Sequence, residues 1–119
     1  MNVSNRIPEI SVKELEQKLK TPDAFVLLDV REPDEIARVH LEDVRVTYAP
    51  LSELARKGLD ALPQPARDPA AEIVVFCHQG SRSMQVMLWL QQQGWQNVTS
   101  LRGGIDAYAI QVDPSIGRY

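Results

Sequence analysis

Four short strand-like runs mark this chain, FVLLDV at 25–30, VRVTYAP at 44–50, EIVVF at 72–76 and VTSL at 98–101, with helical patterns between them. FVLLDV is almost continuously apolar, so it has no face to offer water. Such a run suits a strand buried on both faces of a parallel sheet. Strands that alternate with helices lead to the same expectation for the whole chain, an α/β fold with a mainly parallel sheet.

The helical segments carry their own punctuation. Ser11 and Glu14 form a Ser-x-x-Glu capping box, after which Val12, Leu15 and Leu19 repeat on one helical face, until TPD at 21–23 breaks the pattern. Pro33 fits the first turn of a second helix, with Asp34 and Glu35 near its positive end and Ile36, Val39 and His40 on its inward face. LSELARK at 51–57 reads as a short helix closed by Gly58. The stretch PQPARDPAA at 63–71 holds three prolines and reads as a surface connection, so residues 1–119 are expected to form a single domain. A helix is expected over 83–93, with Met84, Met87 and Leu88 on one face and Trp89 among Gln85 and Gln92 on the other. Gly103 and Gly104 form a turn into IDAYAIQV.

Charge and cysteine content exclude several functions. The net charge is −3, with lysines and arginines scattered, so no basic stripe points to nucleic acid. A lone cysteine forbids an internal disulfide, and with only His40 and His78 beside it the chain offers a poor metal set. The opening MNVSNRIPEI lacks the apolar core of a signal peptide, and no run approaches the length of a membrane span. A reducing, cytoplasmic setting is the expectation.

The lone thiol, Cys77, ends a strand run and is followed by His78, Gln79, Gly80, Ser81, Arg82 and Ser83. Ligands of open α/β sheets gather beyond the carboxyl ends of strands, where Cys77 lies. A free thiol titrates near about 8.5, so a useful nucleophile needs help to become a thiolate. A helix starting near Ser83 would turn its unpaired N–H groups toward the sulfur, and a tight turn over 78–82, eased by Gly80, could form an anion nest. Arg82 adds a fixed positive charge, directed at a bound anion or at the loop carbonyls. The plainer reading of Cys77 is a small buried hydrophobe. The surrounding Gly and Arg favour chemistry. His78, adjacent to the thiol in a tight loop, reads as a residue that tunes entry.

The segment CHQGSRS resembles the active-site loop of the rhodanese-like domains, a family of sulfurtransferases. LLDVREPDEIARVH at 27–40, APLSEL at 49–54 and LRGGIDAYAIQVDPSIGRY at 101–119 resemble further family segments in the same order. The resemblance implies a parallel sheet of about five strands with helices on both faces. It implies that Cys77 takes a sulfur from a donor such as thiosulfate and passes it to cyanide, a thiol or a protein acceptor through a persulfide. The backbone N–H groups of 78–82 would stabilise the terminal sulfur, and no cofactor or metal is implied. Cys77-x4-Arg82 is one residue shorter than the Cys-x5-Arg loop of related phosphatases and arsenate reductases, and the shorter loop suits a single extra sulfur. Its one fixed charge leans toward thiosulfate. Asp29 and Arg31 match the family's Asp-x-Arg and read as a supporting ion pair. Val39 stands where the family has Gly, Tyr108 where it usually has Trp, and His40 reads as a core or hinge histidine. DPSIGRY resembles the end of rhodanese-like domains that follow sulfur-activating enzymes, so a sulfur-carrier module that works only with a protein partner is the other reading.

Overall fold

Apolar residues on both faces of a strand require cover on both sides, and the computed structural model, which describes residues 8–119, supplies it. The strands are β1 (Glu9–Ile10), β2 (Val26–Asp29), β3 (Val46–Tyr48), β4 (Ile73–Phe76) and β5 (Val98–Leu101). They lie in the order β1-β5-β4-β2-β3, and every pairing is parallel. The helices are α1 (Val12–Leu19), α2 (Pro33–Arg38), α3 (Leu51–Lys57), α4 (Ser81–Gln92) and α5 (Gly104–Gln111).

Alternate strand residues feed two separate cores, as the pleat demands. Leu28, Val75 and Val98 pack with Leu54 of α3 and Val86, Met87 and Leu90 of α4. Leu27, Val74 and Leu101 pack on the other side with Val12 and Leu15 of α1 and Ile105 and Tyr108 of α5. The expected α/β fold with helices on both faces is therefore the observed one. At the start of α1, Ser11 Oγ accepts the Glu14 N–H at 3.1 Å and Glu14 Oε1 accepts the Ser11 N–H at 2.8 Å, the capping box read from sequence.

Several local expectations need correction. β1 left no periodic signal, because it has only two residues; its edge pairing with β5 supplies what its length cannot. The second helix stops at Arg38, so His40 is not on an inward helical face: it is exposed, with Nε2 3.1 Å from Glu42 Oε1. Val39 is extended, with φ −145° and ψ 133°, and buried. Any L-residue accepts that backbone, which is why valine can replace glycine there. Helix α4 begins at Ser81, two residues earlier than expected, because Gly80 takes the left-handed backbone (φ 113°) just before it. On α4, Leu88 faces solvent, and Val86 takes the buried place instead. Trp89 is partly buried against the α3–α4 core. The proline-rich connection wraps a 3-10 turn at Gln64–Ala66, and the Trp95 indole N–H donates to the Ala66 carbonyl at 2.9 Å.

Residues 1–7, which carry most of the segment read as lacking a signal peptide, lie outside the described residues. Among the described residues, no helix is long and apolar enough to cross a membrane.

Leu27 and Leu28 are both fully buried, but beneath different helix layers. Leu27→Ala and Leu28→Ala are each expected to cost about 2–5 kcal/mol in urea unfolding. A sheet covered on one side only would make one of the two nearly neutral.

Candidate active site

Cys77 follows Phe76, the last residue of the central strand β4, and its side chain is enclosed at 1 % exposure. Its Sγ accepts the Gly80 N–H at 3.1 Å and the Ser83 N–H at 3.3 Å, and lies 3.5 Å from Ser83 Oγ. These contacts follow from the way α4 begins. Its N-cap is Gly80, which has no side chain to accept the free amides of the first turn. The sulfur occupies the position a Ser or Asp side chain usually fills, accepting from the third helical residue. A negative charge on Sγ therefore sits among N–H donors at the positive end of a three-turn helix. Ser83 Oγ bridges this cradle to β5: it donates to the Gly80 carbonyl at 3.1 Å and pairs with Ser100 Oγ at 2.8 Å.

The back of the cradle is held by α5. The Ile105 N–H donates to the Cys77 carbonyl at 2.9 Å, and the Asp106 N–H donates to the His78 carbonyl at 3.0 Å. Those two bonds satisfy first-turn amides of α5 and turn the loop carbonyls away from the sulfur. Such close approach leaves no space for a side chain at Gly104. A Cβ there would lie 2.3 Å from the His78 oxygen and 2.7 Å from the Cys77 oxygen, at a backbone φ of 64°.

Around the cradle runs a chain of charged and polar groups. Arg82 gives both terminal nitrogens to Glu35, at 2.6 and 2.8 Å. It is bound neither to loop carbonyls nor held free for an anion, the alternatives its position in sequence suggested. Glu35 Oε2 also accepts the Tyr119 hydroxyl at 2.8 Å, and Oε1 accepts the Glu32 N–H at 3.0 Å. The hydrogen bonds from Arg82 hold the Glu35 carboxyl well below the usual carboxylate range, at about 2. Arg31, fully buried, clasps Asp29 with Nε at 3.0 Å and NH2 at 2.8 Å, and donates to Tyr119 Oη at 3.2 Å. The Tyr119 ring stacks on His78, centroids 4.0 Å apart. Arg118 pairs with Asp106 at 2.8 Å, which lowers the pKa of that carboxyl.

The structure thus brings together Cys77, Gly80 and Ser83 at the sulfur, and Asp29, Arg31 and Arg82 in the surrounding network. Gln79 and Ser81 face solvent, and the His78 ring stacks on Tyr119 with its Nε2 enclosed and without a hydrogen-bond partner. Glu35, Ser100, Asp106 and Tyr119 escaped the sequence reading. Glu35 had a signal, since it falls four residues after Arg31 on the helix next to the first strand end. Tyr119 had none, because 84 residues separate it from Glu35. Two clefts of about 370 and 360 Å³ lie elsewhere, one beside Val39 and Tyr108 and one between α3 and α4, and Cys77 lines neither. Among the described residues, no group of three or more His, Cys, Asp and Glu could hold a metal ion.

A parallel sheet covered on both faces, with one thiol cradled by amides between a strand end and a helix start, defines an α/β protein built around a cysteine loop. The profile of the rhodanese-like domain matches residues 11–111, and the chain belongs to that family. It is 40% identical over 116 residues to the rhodanese-like/PpiC domain-containing protein 12, chloroplastic, of Arabidopsis thaliana, covering 95% of this chain but only 38% of that protein. It is 33% identical over 103 residues to a protein of Allochromatium vinosum named sulfurtransferase, covering 87% of this chain and 89% of that one. The crystal structure of a rhodanese-related protein from Thermoplasma volcanium superposes with a TM-score of 0.70 at 28% identity, over 88% of this chain and 93% of that chain.

Two measurements check the geometry. Gly104→Ala is expected to destabilise the protein by more than Gly58→Ala, since a Cβ at Gly58 meets nothing within 4 Å although its φ is also positive (64°). The pair compared by thermal unfolding sets the contact with the cradle against a position where a Cβ meets only backbone strain, which costs about 1–3 kcal/mol. The second is pH. Glu35 titrates lower when folded than its ordinary value of 4.5, so its pairing contributes stability above pH 4.5 that is lost as pH falls toward about 2. Glu35→Gln is expected to flatten that part of the acid-unfolding curve.

Proposed function

We propose that this protein is a sulfurtransferase in which Cys77 carries the moving sulfur as a persulfide. The observation that carries this reading is the environment of Sγ: two backbone N–H groups, from Gly80 and Ser83, meet one sulfur at the start of α4. Such donors favour the thiolate that attacks, and they favour the negative terminal sulfur that the attack leaves behind. The Allochromatium vinosum relative is named for this kind of transfer, which supports the reading. The loop count from Cys77 to Arg82 supports sulfur over phosphate or arsenate, because the short loop closes tightly on the cysteine.

Cys77 thiolate attacks the outer sulfur of a sulfane donor, of which thiosulfate is the simplest, and sulfite departs with the electrons of the broken S–S bond. The persulfide then yields its outer sulfur to a nucleophile such as cyanide or a thiol, and the thiolate returns. With the cysteine almost enclosed, only a sulfur that projects from its carrier can reach it. Ser83, tied to Ser100, keeps the start of α4 in register with the sulfur. Asp29 and Arg31 hold the strand-end loops, and His78, Gln79 and Ser81 form the rim that a donor passes.

The test is intact-mass measurement of the reduced protein after incubation with a sulfane donor, beside Cys77→Ser. The expected result is a gain of one sulfur atom, absent from the variant and reversed by cyanide. Hydrolysis of an aryl phosphate without sulfur gain would assign the loop to oxyanion chemistry instead. Neither reaction would leave a carrier module that is loaded only by a protein partner.

A further inference from the structure

Resting on that reading of Cys77, the charges around the site narrow the donor. Four arginines stand on segments that converge near the carboxyl end of the sheet, and each has a carboxylate. Arg31 pairs with Asp29 at 2.8 Å, Arg82 with Glu35 at 2.6 Å, Arg118 with Asp106 at 2.8 Å, and Arg102 more loosely with Glu9 at 3.9 Å. Arg82 matters most, because it lies in the first turn of α4, next to Ser83 whose N–H meets the sulfur. Both of its terminal nitrogens are spent on Glu35, and the Tyr119 hydroxyl holds that carboxylate in place. The pair is largely sheltered, with side-chain exposures of 29% and 17%, so solvent screens it only in part.

The two kinds of sulfane donor place different demands on this setting. Thiolate and thiosulfate together bring three negative charges to the reacting centre, which end as an anionic persulfide and sulfite. Thiolate and an organic persulfide that reacts in its protonated form, R–S–SH, bring one there. In that reaction Cys77 Sγ bonds to the outer sulfur, the R–S bond to that sulfur breaks, and its electron pair leaves on R–S⁻. The products are Cys77–S–SH and R–S⁻, with no oxidant or reductant needed. Amide donors and a helix end can stabilise one negative charge, but three call for an uncompensated cation, and Glu35 has neutralised Arg82.

We propose that Glu35 is a specificity-determining residue that, by occupying Arg82, makes this site select organic persulfides over the thiosulfate dianion. It acts through Arg82 and needs no contact with the donor. Releasing Arg82 should therefore improve the enzyme toward thiosulfate.

The experiment compares thiosulfate with cysteine persulfide as donors, following cyanide-dependent turnover and Cys77 loading by mass in the natural protein and in Glu35→Gln. The natural protein is expected to show the higher kcat/KM with cysteine persulfide, and its thiosulfate rate to change little with added salt. In Glu35→Gln the KM for thiosulfate should fall about tenfold and become salt-sensitive, while kcat/KM for the persulfide moves by no more than about twofold. An unchanged or higher thiosulfate KM in the variant overturns the proposal. So does a steep loss of thiosulfate activity with salt in the natural protein, a measurement that needs no variant to fold. A preference of the natural protein for thiosulfate overturns the selectivity alone, leaving the Cys77 persulfide intact. Loading by neither donor overturns the persulfide reading beneath it.

Discussion

The hydrogen bonds from the first amides of α5 to the carbonyls of Cys77 and His78 are the constraint from which the site follows. A peptide group points its carbonyl and its N–H in opposite directions, so a loop whose carbonyls are drawn outward is free to turn amides inward. The sulfur collects those amides. Helix α5 gains as well, since its opening N–H groups would otherwise need side-chain caps or water. Gly104 is the condition for this exchange, because any side chain there would occupy the space the two carbonyls use. One glycine and two backbone hydrogen bonds thereby join the last helix to the only thiol.

The charged network solves a separate problem. Arg31 is buried with no exposure, and a lone buried guanidinium would cost several kcal/mol. Asp29 meets it with two parallel hydrogen bonds, and the Tyr119 hydroxyl takes a further N–H. Tyr119 passes the chain of contacts on to Glu35, which grips Arg82. Loops from β2, β4 and the carboxyl end of the chain are thus locked together by groups whose charges cancel. Rigidity and electrical neutrality come from the same bonds.

Much of this was legible in the sequence, and the failures have common causes. The runs 25–30, 72–76 and 98–101 were readable as strands because a parallel sheet buries both of their faces. The N-terminal capping box was readable because it is contained within four residues. What escaped depended on partners far along the chain. β1 is a strand only because β5 lies beside it, and Arg82 is a paired charge only because Glu35, on a different helix, faces it. His40 was misplaced for a local reason: the helical pattern continued past Arg38 while the backbone did not. The sulfur's donors were partly legible, since a helix start after Gly80 was expected, but the shift of that start to Ser81 made Gly80 the cap and Cys77 the acceptor.

The order of the strands also bears on how the protein comes into being. Among the described residues, the first and last strands, β1 and β5, are neighbours, and Tyr119 reaches back to α2. A chain leaving the ribosome could therefore form the β2–β3 and β2–β4 pairings while Cys77 still lacked the α5 amides behind it and Tyr119 beside it. For that interval the thiol would be open to passing oxidants and electrophiles. Protection arrives only with residues 101–119, the segment that carries α5 and Tyr119.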